Sequence, residues 1–298
     1  MDQASQLRNI IKAQSISAPP LARVMTVTSG KGGVGKSSTA INLALQFRKL
    51  GQRVIILDAD FGLANIEIMF GAVPKHNLSD LIYQNKNIRE IITWGPMDVG
   101  FISGGSGIAG LSNLSREYLI YIIQNLAELD ALADIIIIDT GAGISSAVLE
   151  FLVASGEVIL VTTPEPTSIT DSYSLLKALL RHPRYSEENT QVKMIANRVE
   201  TIEEGETLYN KLNAVVSRYL KLELHYIGAI PTDPQLSQAV IQQVPVTIHA
   251  PACKAALALE NIAARLQGLE ETQTVTKRGM AAFFSHILRT RKDINYAD

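Results

Sequence analysis

Val24-Met25-Thr26-Val27-Thr28-Ser29-Gly30-Lys31-Gly32-Gly33-Val34-Gly35-Lys36-Ser37-Ser38 is the stretch that decides the fold. Its first five residues form a short β-prone run, and glycines follow at once. Gly30, Gly35, Lys36 and Ser37 satisfy the spacing GxxxxGK[ST], set where a strand gives way to a helix. Glycines there let backbone N–H groups curl around phosphate oxygens, and the helix beginning near Lys36 adds its positive N-terminal end. Lys36 is placed to reach β- and γ-phosphates and Ser37 to ligate Mg²⁺, with Gly30, Lys31, Gly32, Gly33, Val34, Gly35 and Ser38 completing the cradle. A glycine-rich turn can carry the same letters without a ligand; the strand-to-helix context separates the two.

Outward from this loop the chain keeps alternating strand and helix. Residues 54–57, 135–138, 158–161, 192–196 and 226–230 join 24–28 as strand candidates, several of them continuous apolar runs. Such runs suit parallel strands covered on both faces. Helix-length patterns lie between them, as at 37–50 and 168–180. The expectation is an α/β fold of the P-loop NTPase type: a doubly wound, mostly parallel sheet with helices on both faces and right-handed crossovers. Ligands on such sheets sit at the carboxyl ends of the strands.

Composition bounds the rest. The 298 residues are 47% hydrophobic and 19% charged, ample for a core. With 27 Lys and Arg against 29 Asp and Glu, the net charge of −2 gives no sign of a dedicated nucleic-acid binder. The single cysteine, Cys253, excludes an intrachain disulfide and a multi-cysteine metal site, and fits a reducing cytosol. No apolar run approaches the roughly 18 residues that cross a bilayer. Three regions are expected: a polar segment and linker at 1–20, the α/β domain at 21–267, and a connector with a C-terminal helix at 268–298.

Acidic residues follow two of the strands. Leu57-Asp58-Ala59-Asp60 ends the second with two carboxylates aimed in similar directions, and 135–138 runs directly into Asp139-Thr140-Gly141-Ala142-Gly143. Four apolar residues and then an aspartate is the Walker B arrangement, with Asp139 holding Mg²⁺ and the small residues after it sensing the γ-phosphate.

The loop also holds Lys31, which a plain P-loop does not require. Lys31-Gly32-Gly33-Val34-Gly35-Lys36-Ser37 resembles the deviant Walker A motif of the MinD/ParA family of dimerising ATPases. The resemblance implies ATP or ADP with Mg²⁺ as cofactors and a homodimer in which Lys31 crosses to the partner's phosphates. It implies Lys31, Lys36 and Asp60 as catalytic residues, with Asp60 orienting the attacking water, and Ser37, Asp58 and Asp139 around the metal. An aspartate is a weak base, so orienting water suits it better than removing a proton. The family pattern also implies adenine contacts by Asn197 with its neighbour Arg198, and by the loop Pro231-Thr232-Asp233.

Both ends of the chain carry further signals. Met280, Phe283, Phe284, Ile287 and Leu288 fall on one helical stripe, flanked by Lys277, Arg278, Arg289, Arg291 and Lys292. Large apolar side chains beside cations describe a helix lying on anionic lipid; the bland reading is a helix packed on the core. Asp2-Gln3-Ala4-Ser5-Gln6-Leu7-Arg8 resembles the DQAxxLR element of the FlhG-like flagellar-number regulators within this family. There Asp2, Gln3, Ala4, Leu7 and Arg8 would stimulate a signal-recognition-type GTPase of the FlhF kind. The resemblance implies flagellar basal-body (C-ring) components as partners and a cytoplasmic protein that joins the membrane peripherally as an ATP-bound dimer. The alternatives are a MinD-type division-site regulator and a ParA-type DNA-segregation ATPase. Iron–sulfur members need more cysteines than Cys253, and tyrosine kinases of this fold a C-terminal tyrosine cluster; no specific nucleic acid is expected.

Overall fold

The computed structural model describes residues 21–60, 65–84, 86–104, 124–272, 279–280, 282–284 and 286–287. The strands are β1 Arg23–Thr28, β2 Val54–Ala59, β3 Thr93–Trp94, β4 Gly100–Ile102, β5 Ile135–Thr140, β6 Glu157–Thr162, β7 Gln191–Val199 and β8 Leu224–Pro231. The helices are α1 Lys36–Lys49, α2 Asn65–Phe70, α3 Leu78–Tyr83, α4 Ile88–Ile91, α5 Leu129–Leu132, α6 Ser146–Ala154, α7 Pro166–Arg181, α8 Ile202–Leu220, α9 Pro234–Ile241, α10 Val246–His249 and α11 Lys254–Thr272.

One sheet runs β3-β4-β2-β5-β1-β6-β7-β8, parallel throughout except for the antiparallel edge pair β3–β4. All six strands expected from the sequence are present and lengthen by one to three residues at their ends. Two were not anticipated. β3 and β4 are too short for a periodic signal, and the turn between them places Met97 and Asp98 in the left-handed region.

Apolar layers cover both faces of the sheet. α1 and α11 pack with Met25, Val27, Ile56, Ile137 and Ile159 on one side. On the other, Val24, Ile55, Leu57, Ile136 and Ile138 share a cluster with Phe151 of α6. At the amino ends of the central strands, Arg23 Nε and Nη2 donate to the two Glu157 carboxylate oxygens at 2.6 and 2.8 Å, and Lys193 also donates to Glu157. Burial, the largest influence, works to raise the Glu157 pKa; the Arg23 hydrogen bonds and the charges of Arg23 and Lys193 overcome it and hold the carboxyl below its ordinary range.

Two features of the structure bear on the expected C-terminal region. The boundary at 267 falls inside α11, which continues to Thr272. The apolar stripe is not a free lipid-facing surface in this structure. Met280, Phe283, Phe284 and Ile287 are buried among Ile55, Leu57, Ile136 and Ile138, and the described residues between 279 and 287 are helical. The Phe283 ring lies 5.9 Å from that of Phe151 and meets Phe284 edge-on at 5.3 Å. The physical reason is that this face of β2 and β5 is itself apolar, and the segment covers it. Leu288, the flanking cations and the N-terminal Asp2, Gln3, Ala4, Leu7 and Arg8 lie outside the described residues.

Candidate nucleotide site

The carboxyl ends of β1, β2 and β5 converge on the loop between β1 and α1. Gly30 is there because the loop backbone lies against α7: a Cβ at Gly30 would sit 2.3 Å from the Asp171 carbonyl carbon. Gly35 adopts φ 92°, and a Cβ there would come within 2.3 Å of the Asn197 amide nitrogen. Gly32 and Gly33 face open space, leaving their N–H groups a concave approach. Lys36, almost wholly buried, donates to Asp139 Oδ1 at 2.6 Å and lies 3.3 Å from the Ser37 hydroxyl.

Register explains the acidic cluster. Asp58 and Asp139 are direct neighbours in the β2–β5 pairing, and both are buried. Burial first, and then the charge of Asp139, pushes the Asp58 carboxyl up to about 7. Asp139 is also raised, chiefly by burial, although Lys36 opposes it. Asp58 Oδ1 accepts the Asp60 backbone N–H at 3.0 Å and so shapes the turn that presents Asp60. Asp60, half-buried, accepts from the Asn65 amide at 3.4 Å. Asp139 Oδ2 is buried without a hydrogen-bond partner among the described residues. A buried carboxylate oxygen left open, beside Ser37 and two more aspartates with one lysine among them, fits a hydrated divalent cation shared with phosphates. Asp139 and Ser37 would hold that cation, with Asp58 behind them.

Lys31 is brought to the same face, but its ammonium is held within its own subunit, by Glu165 at 2.6 Å and the Thr167 hydroxyl at 2.8 Å. Neither partner was expected from the sequence. The loop after β5 is tied to the cradle by the Gly143 N–H, which donates to the Ser29 carbonyl at 2.9 Å.

A cavity of about 860 Å³ opens from the cradle. Its far wall is Met69, Leu236, Val240 and Ile241, an apolar shelf suited to a flat ring. Sequence reading missed this shelf; its only signal was the pair Val240-Ile241, apolar yet exposed at the end of α9. Asn197, Arg198, Pro231 and Asp233 also line the cavity. The strand expected to stop before Asn197 continues to Val199, with Arg198 at φ 56° in an irregular register. The Asn197 amide donates to the Val34 carbonyl at 2.7 Å, and its oxygen accepts the Arg198 N–H at 2.9 Å. Asn197 thus braces the loop from below. Asp233 also shapes the loop: one oxygen accepts the Gln235 N–H at the start of α9, the other the Ala255 N–H of α11. Burial works to raise its pKa, but these backbone hydrogen bonds outweigh it and hold the carboxyl low.

Comparison with known proteins agrees with this geometry. Residues 21–267 match the ParA family model, described as a NUBPL iron-transfer P-loop NTPase. Over 244 residues the chain is 38% identical to the antiactivator FleN of Pseudomonas aeruginosa, covering 82% of this chain and 86% of that protein. It is 33% identical over 296 residues to the flagellum site-determining protein YlxH of Helicobacter pylori, covering 97% and 98%. The septum site-determining protein MinD of the same bacterium is 29% identical over 89% of this chain and 97% of its own length. Among solved structures, MinD of Pyrococcus horikoshii complexed with Mg-ADP superposes with a TM-score of 0.65 at 21% identity, over 85% of this chain and 98% of that one. The single cysteine, Cys253, gives this chain no multi-cysteine ligand set of the kind that iron–sulfur cargo takes. The chain belongs to the MinD/ParA family of P-loop ATPases, in its FlhG-like branch.

Proposed function

We propose that this ATPase is a nucleotide-gated switch controlling the placement and number of bacterial flagella. The observation that carries the reading is its likeness, over almost its whole length, to a flagellum site-determining protein, greater than its likeness to MinD from the same bacterium. In the proposed cycle the loop N–H groups and Lys36 bind the phosphates of ATP. Lys36 gives up Asp139 for phosphate oxygens, and Asp139 and Ser37, with Asp58 behind them, would hold the Mg²⁺. Mg²⁺ supplies charge neutralisation between the β- and γ-phosphates. Asp60 orients the attacking water. The apolar shelf of Met69, Leu236, Val240 and Ile241 receives the adenine, with Asn197, Arg198 and Pro231 at its border. Lys31 leaves Glu165 and Thr167 and reaches the phosphates of a second copy, which makes the dimer depend on ATP.

Membrane association is the second part of the proposal. Among the described residues no helix is long and apolar enough to cross a membrane. The proposed binding is peripheral, and in it residues 279–287 leave their seat. Anionic lipid offers the stripe an equivalent apolar surface and attracts the flanking cations at about 1 kcal/mol each. One released helix binds weakly; two in a dimer bind as a tethered pair. The N-terminal Asp2-Gln3-Ala4-Ser5-Gln6-Leu7-Arg8 stimulates an FlhF-type GTPase, and C-ring components are the flagellar partners.

The test is co-sedimentation with phosphatidylglycerol-containing vesicles, beside GTPase stimulation. ATP-dependent, salt-sensitive sedimentation together with stimulation that needs residues 1–20 supports the reading. Equal sedimentation with ADP and ATP, or full stimulation after deletion of 1–20, overturns the corresponding part.

A further inference from the structure

The C-terminal helical segment is fastened at both ends by polar contacts that its apolar stripe does not require. At its start, Asp130 of α5 is buried and its two oxygens accept the Met280 N–H at 3.0 and 3.1 Å. Oδ1 also accepts the Ala22 N–H at 3.3 Å, ahead of β1. Gly279 turns into the segment at φ 64°, and a Cβ there would lie 2.5 Å from Asp130 Oδ2. The N-terminal end of the segment is thus pinned by a carboxylate where a helix offers unpaired N–H groups and partial positive charge. At the far end, Arg184 donates one nitrogen to the His286 carbonyl and another to the Glu150 carboxylate. His182 Nε2 lies 3.6 Å from the same carboxylate.

The two fastenings differ in what they stand on. Asp130 and Ala22 belong to the strand-end region opposite the nucleotide. Glu150 lies on α6, and Arg184 follows the end of α7. Both of these helices begin at the candidate nucleotide site. α6 starts at Ser146, capped by Ser145 just after the loop that follows β5. α7 starts at Pro166 beside Glu165 and Thr167, the residues that hold Lys31. Phe151, next to Glu150 on α6, touches Phe283.

We propose that Asp130 and the Glu150–Arg184 pair form a two-ended clasp on the C-terminal helix, with Asp130 as the fixed anchor and Glu150–Arg184 as the release point. A rigid shift of α6 against α7, as the phosphate-sensing loop closes and Lys31 leaves Glu165, separates Glu150 from Arg184 and frees the His286 carbonyl. The segment then opens from its 286 end while Gly279 serves as the hinge. This deepens the proposed function and rests on its premise that the helix leaves its seat.

The experiment is hydrogen–deuterium exchange on the full chain, comparing the parent with Glu150→Gln and Arg184→Met, in ADP and in ATP with Mg²⁺. Glu150→Gln is nearly isosteric and keeps the fold testable if Arg184→Met does not fold. In ADP, amides of 279–287 should exchange roughly tenfold faster in the variants, while those of β1 and β5 stay unchanged. In the parent, ATP should produce the same local acceleration. Asp130→Asn should loosen 279–280 first and leave the ATP response in place. Unchanged exchange at 279–287 in Glu150→Gln overturns the clasp. Acceleration without any binding to phosphatidylglycerol vesicles upholds the clasp and removes the membrane reading instead.

Discussion

Phe283→Ala separates a core role for the C-terminal helix from a waiting, solvent-facing one. Phe283 is 1% exposed, its ring tilted against that of Phe151 and edge-on to Phe284. Truncating a buried phenylalanine costs about 3–5 kcal/mol, the lost transfer energy plus the cavity left beside Phe151. A side chain held out for lipid would cost within about 0.5 kcal/mol. Urea unfolding monitored by far-UV circular dichroism distinguishes them. At a slope of about 2–3 kcal/mol/M, the buried reading lowers the midpoint by roughly 1–2.5 M. Phe151→Ala should lose a similar amount, and the double variant less than the two losses added, because the rings share one contact. A midpoint unchanged in Phe283→Ala would refute the claim that the seat contributes to the fold.

Three further outcomes follow from the site and the core. Lys36→Ala should weaken ATP binding by calorimetry, whereas Asp60→Ala should bind ATP as the parent does yet hydrolyse it roughly 10²–10⁴-fold more slowly, as for loss of a positioned catalytic group; normal turnover in Asp60→Ala would move water positioning elsewhere. Glu157 is held below its ordinary range, so its contribution is full above the unfolded value of about 4.3 and is lost as pH falls through the lower folded value. Glu157→Gln should remove that acid-side dependence from a urea-midpoint pH series, and should destabilise by about 3–5 kcal/mol by leaving Arg23 and Lys193 without their carboxylate. Deleting residues 1–20 should leave ATP hydrolysis intact, since β1 begins at Arg23; a tenfold loss of turnover would show that the N-terminal segment belongs to the ATPase itself.

What the sequence made legible divides along physical lines. Most of the six parallel strands expected from the sequence announced themselves as near-continuous apolar runs, the pattern of a strand covered on both faces. β3 and β4, two and three residues long at an edge, have no such signature. The phosphate loop was readable because its chemistry is local, contained in Gly30 to Ser38. The adjacency of Asp58 and Asp139 depends on strand register across 81 residues of chain, and their raised pKa values depend on burial that spacing does not encode. The apolar shelf draws Met69 from α2 and Leu236, Val240 and Ile241 from α9, residues united only by the fold. The C-terminal stripe was correctly seen as amphipathic. The seat it takes in this structure is not legible from the stripe, because a lipid face and a core face are the same pattern; the apolar surface of β2 and β5 supplies that seat.

The account rests most heavily on Lys31 acting between subunits, and light-scattering mass with ATP and Mg²⁺ tests it most directly. The Asp60→Ala chain, unable to clear its nucleotide, should weigh as a dimer with ATP and as a monomer with ADP. Adding Lys31→Ala should return it to monomer while ATP remains bound. A dimer that persists without the Lys31 ammonium, or one equally populated with ADP, would contradict the claim that ATP joins two copies through this lysine.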